Sequence, residues 1–181
     1  MNLLKTLELL IDKPEALGAP ERPEGLGRAG LLGYFCGTLG LFAFLRMQSA
    51  IPPGPASFLF VLLFVLSANF LFAGMMHLFL DLTGVNGSAS RLFLAFGCSD
   101  YLLTLLVPMG FFSGVKVLGG FAWLCLCFLA VIYARVRLVR RLYPVSVNKA
   151  VLSVWLPYAG LSLVFFSAFI YGLVWMIWLL V

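Results

Sequence analysis

Charge is what this sequence has least of. Only 10% of its 181 residues are Asp, Glu, Lys or Arg, seven of them acidic, and His77 is its one histidine. A soluble domain carries about 25% charged residues. With 63% hydrophobic residues and a mean hydropathy of +1.09, this chain has too few polar side chains to clothe a surface in water. Metal-ligating groups are equally scarce. The four cysteines, Cys36, Cys98, Cys125 and Cys127, form no CxxC pair and lie in apolar runs, where a thiol packs as a small hydrophobe. No metal, cluster, haem or other cofactor is therefore expected. No serine, cysteine or lysine has a base beside it, and glycine-rich phosphate loops and paired carboxylates are missing, so the chain is not expected to be an enzyme. Absent, finally, is the period-two alternation of barrel strands, which leaves helices as the structure able to satisfy its own backbone in lipid.

What is present is long apolar runs. A hydrocarbon core about 30 Å thick needs roughly 20 residues at about 1.5 Å each. Five runs meet the need, near residues 29–45, 56–80, 92–112, 117–134 and 150–178, the last overlong and interrupted by Pro157, which is expected to kink it or set off a first interfacial turn. The expected fold is an all-α polytopic membrane protein of five spans. Ahead of them, "MNLLKTLELLIDKPEAL" places Leu3, Leu4, Leu7, Leu10 and Ile11 at helical spacing, and "KPEALGAPERPEGLGR" reads as a linker. Residues 1–28 are thus expected to form an interfacial amphipathic helix and a solvated connection to the membrane domain at 29–181, retained because no signal-peptide pattern is present.

The basic residues set the orientation. With five spans, ten of the twelve Lys and Arg fall on the N-terminal side and only Arg46 and Lys116 opposite. The positive-inside rule then puts the N-terminus in the cytoplasm and the C-terminus outside. Trp155, Trp175 and Trp178 fit interfacial belts at the two ends of the last span. The net charge of +5 sits in juxtamembrane segments, which points to anionic lipid headgroups rather than nucleic acid. Arg135, Arg137, Arg140 and Arg141, in "ARVRLVRRLYPVSVNK", are the headgroup-binding candidates. "SASRLFLAF" at 88 and "SVNKAVLSV" at 146 share a Ser-x-x-basic opening, a weak sign that spans two and three repeat as four and five.

Few polar residues lie inside the spans. Asp100, nine residues past Arg91, falls about 13 Å deep, where a charged carboxylate costs at least roughly 2.5 to 3.5 kcal/mol. Gly97, Thr104 and Pro108 share its face, and Asn69, twelve residues before Asp81, returns to a similar depth. An Asn69–Asp100 clamp, an ion site and a contact to a partner's polar residue are all open. Gly30, Gly33, Gly37 and Gly40 line one face of span one and suit close helix packing, within this chain or against another. His77 and Asp81 form an i, i+4 pair that could aim two metal ligands one way, but no third is near in sequence.

Four features go together: "LLKTLELLIDKPEAL" near the start, "MMHLFLDLTGVNGSASRLFLAF" at the span-two to span-three turn, Pro108, and "RLYPVSVNKAVLSVWLP" entering the last span. In these the chain resembles the Yip family, the Ypt/Rab-interacting five-span membrane proteins, in its short bacterial branch. It implies five helices, a cytoplasmic N-terminus and a bacterial inner-membrane location. It offers no catalytic residues, and Asp100 lies outside its motifs. Some bacterial relatives are encoded with ABC-type export systems, which implies an accessory role. The expected function is therefore a non-enzymatic accessory or scaffold subunit packed against another integral membrane protein, an ABC-type transporter or a larger inner-membrane complex. The alternatives are a small homo-oligomeric transporter or channel using Asp100, and a lipid-organising or membrane-shaping protein.

Overall fold

The computed structural model describes residues 25–114 and 118–180, so the expected amphipathic helix and linker lie, up to residue 24, outside the described residues. Helices α1 (Leu26–Met47) and α2 (Pro55–Leu82) are followed by α3 (Ala89–Asp100). A 3₁₀ turn over Tyr101–Leu105 carries the third span on into α4 (Leu106–Gly114). Helices α5 (Gly120–Leu142) and α6 (Val147–Leu180) complete the chain. Among the described residues no strand occurs, and five helical segments are long and apolar enough to cross a bilayer. The protein is an all-helical integral membrane protein by that measure.

Local chemistry explains the boundaries. Pro55 opens α2 where its missing N–H costs nothing. The helix closes on Gly84, whose φ of 79° lets its N–H bond Asp81 while Val85 bonds Leu80, a Schellman ending. The 3₁₀ turn lies just before Pro108, whose ring crowds the carbonyl of Thr104 and removes one helical donor, so the preceding turn tightens. Helix α5 continues to Leu142, eight residues past the apolar run that ends near residue 134. The arginine-rich stretch is therefore helix, not loop: arginine is a good helix former, and only Tyr143, held extended before Pro144, ends it. Helix α6 is unbroken over 34 residues with Pro157 inside it.

Helix α1 packs chiefly on the third span, and α2 lies against α1, α3 and α6. Among the described residues α6 touches only α2 and α5, and its buried residues are Ala150, Ser153, Val154 and Pro157. Three apolar clusters fill the bundle, a small one of Leu26, Ala95 and Leu138 and two larger ones. Of the larger two, one gathers Met76, Leu92, Phe96, Val139 and Val154, and the other Phe44, Leu103, Leu106, Cys127 and Val131.

The α1–third span seam has the closest approach. A Cβ built on Gly30, Gly33 or Gly37 would collide with the backbone carbonyls of Leu94, Gly97 and Asp100 respectively, and one on Gly40 would lie 2.7 Å from the Leu103 carbonyl oxygen. All four glycines are consumed inside this chain, which removes them as a surface for another protein.

Candidate functional site

Between the two larger apolar clusters lies a polar one. Along the third span Asp100 sits between Phe96 and Leu103, and along α5 Arg135 sits between Val131 and Val139, all four flanking residues buried. Asp100 and Arg135 are themselves buried. Arg135 Nη2 donates to Asp100 Oδ1 at 2.7 Å, the one ion pair among the described residues. The same nitrogen donates to Asn69 Oδ1, Nη1 donates to the Tyr158 hydroxyl at 3.0 Å, and Nε donates to Ser99 Oγ at 3.3 Å. Asn69 closes the ring by donating from Nδ2 to Asp100 Oδ2 at 3.1 Å and to its own helix at Val65. The guanidinium also stacks on Phe96, 4.8 Å from the ring centre.

Four helices contribute: α2 through Asn69, α3 through Ser99 and Asp100, α5 through Arg135 and α6 through Tyr158. A full positive and a full negative charge cancel, and the amide, hydroxyl and phenol occupy most of the remaining donors and acceptors. Such satisfaction is what makes a charge pair tolerable away from water. A cavity of about 210 Å³ lies between this cluster and the aromatic rings of Phe64 and Phe128, large enough for water beside polar groups. Tyr158→Phe removes one acceptor from the guanidinium, and a loss of about 1.5 to 3 kcal/mol is expected for a hydrogen bond to a charged group. Thermal unfolding in detergent measures it, and an unchanged midpoint would show Tyr158 to be a bystander.

The Asn69–Asp100 clamp drawn from the sequence is present, but as part of a larger cluster whose cation the sequence reading placed elsewhere. Arg135, expected on the headgroups with its neighbours, turns inward. Two residues along a helix is about 200° of rotation, so Arg135 and Arg137 point to opposite sides. The spacing carries that signal: Arg135 shares its face with Val131, Leu138 and Val139, while Arg137, Arg140 and Arg141 form an i, i+3, i+4 set on the other. Thr104, grouped with Asp100 on a common face, bonds its own helix at Tyr101 and joins no other. Tyr158 and Ser99 were missed, since a lone tyrosine or serine in an apolar run has no periodic signature.

His77 Nδ1 lies 3.0 Å from the Tyr143 hydroxyl. Burial, helped by the charge on Asp81, pushes the Tyr143 phenol up to about 12, so it stays protonated and able to donate to the imidazole. Among the described residues no three His, Cys, Asp or Glu side chains converge as metal ligands would.

Comparison with known proteins adds no relative: no family matches the chain, no curated protein matches it in sequence, and no solved structure matches it in fold.

Proposed function

We propose that this protein is a non-enzymatic accessory subunit that recognises another integral membrane protein through the second half of α6. The carrying observation is that half's exposure. No residue from Leu161 to Leu180 is buried, and Leu163, Val164, Phe165 and Phe166, four successive positions that together cover the helix circumference, are each at least 63% exposed. Lipid can cover such a helix, but a span bare around its whole circumference takes no packing from its own bundle, and that free circumference is what a partner's span would fill.

Other candidates for the interface have less behind them. The glycine face and Asn69, Asp100 and Arg135 are engaged within the bundle. Transport through Asp100 would require an ion to displace Arg135 from a carboxylate whose two oxygens are both bonded. The positive-inside count and the Yip resemblance support a cytoplasmic N-terminus and a bacterial inner-membrane setting for the subunit.

The test replaces residues 161–180 with a Leu/Ala helix of equal length, which keeps a span and strips its surface. Extraction in mild detergent is expected to recover a stoichiometric partner with the native chain and none with the replacement. Recovery of the native chain as a lone monomer would defeat the proposal.

A further inference from the structure

At the Tyr143 end of α5 three guanidiniums remain once Arg135 has turned inward. Arg137, Arg140 and Arg141 have no carboxylate partner among the described residues, where only Asp81 and Asp100 carry one and Asp100 belongs to Arg135. Arg137 and Arg140 are exposed, and Arg137 is steadied over the Tyr133 ring, 5.4 Å from its centre. The three line a polar, half-open hollow of about 200 Å³. Arg137 and Arg140 also form the mouth of a second concavity, an apolar groove of about 390 Å³ between α5 and α6, walled by Ile132, Val136, Val151 and Trp155.

We infer that the hollow and the groove together are a binding site for one anionic phospholipid, phosphate on Arg137, Arg140 and Arg141, acyl chain between α5 and α6. Length supports this occupant. The groove extends along α5 from Leu129 to Arg140, eleven residues or about 16 Å, and half of a core about 30 Å thick is about 15 Å. A tail starting at the arginines would therefore run the depth of one leaflet. Charge supports it too, because three guanidiniums on one helix face, at the mouth of a groove between two helices, suit an anionic headgroup. The guanidinium's planar fork matches phosphate oxygens. A free phosphate ion would use the hollow and leave the groove empty, whereas a lipid needs both. Trp155 stands at the groove wall, where its ring can lie along the chain.

Native mass spectrometry of the detergent-purified protein, titrated with phosphatidylglycerol or phosphatidylcholine of matched chains, tests the site. Phosphatidylglycerol is expected to be retained at least about tenfold better. The variant Arg137→Gln/Arg140→Gln should erase that preference. A second variant, Val151→Trp, fills the groove and leaves every charge in place, and it should also lower retention about tenfold. Equal retention of the two lipids would overturn the inference. So would undiminished phosphatidylglycerol binding by Val151→Trp, or displacement of the lipid by millimolar inorganic phosphate, since either places recognition in the arginines alone.

Discussion

Replacing Arg135 with Met while Asp100 stays is expected to cost about 3 to 5 kcal/mol, because it leaves a buried carboxylate without its counter-charge. Asp100→Leu should cost as much for the opposite reason, stranding a guanidinium among Phe96, Asn69 and Tyr158. The double variant Asp100→Leu/Arg135→Met should then recover most of the loss, since apolar residues of similar volume often replace a buried pair at little net cost. Reversible unfolding in mixed micelles measures all three. Strict additivity of the two single losses would mean that the charges act independently and that the 2.7 Å pair is not what joins α3 to α5.

The second large effect is steric. In Gly33→Val the first side-chain carbon would fall onto the Gly97 carbonyl oxygen, and that oxygen is backbone and cannot swing aside. Helices α1 and α3 must separate, at an overpacking cost of about 1 to 3 kcal/mol or more. Separation would also pull at Asp100, whose own carbonyl faces Gly37 one turn along the seam. Gly27→Val provides the control, because a Cβ there meets nothing within 4 Å. Gly33→Val should lower the unfolding midpoint strongly and Gly27→Val slightly. Equal effects would mean that the seam is loose enough to accept a side chain.

Much of this architecture is written locally. Runs of about 20 apolar residues name a span, and Gly30, Gly33, Gly37 and Gly40 repeat at three, four and three residues, so their shared face is legible without a structure. What that face meets is not: the answer, Leu94, Gly97 and Asp100, lies some sixty residues away and depends on which helix folds back. Asp100 was conspicuous because a lone carboxylate in an apolar run needs a partner. Arg135 was hidden among arginines, and sequence adjacency outweighed the 200° that separates it from Arg137. The bareness of α6 is not legible in the sequence, since a helix that is apolar all round has the same composition whether or not its own bundle covers it.

A polar centre holds the helices of this chain together, and the bare half of α6 is the proposed partner surface. One measurement bears on both: recovery of the partner by the Asp100→Leu/Arg135→Met double variant, extracted in mild detergent beside the native chain. The folded double variant is expected to retain the proposed partner at the native ratio. Loss of the partner from a variant that is folded and carries α6 intact would contradict it, and would place recognition in the charged pair itself.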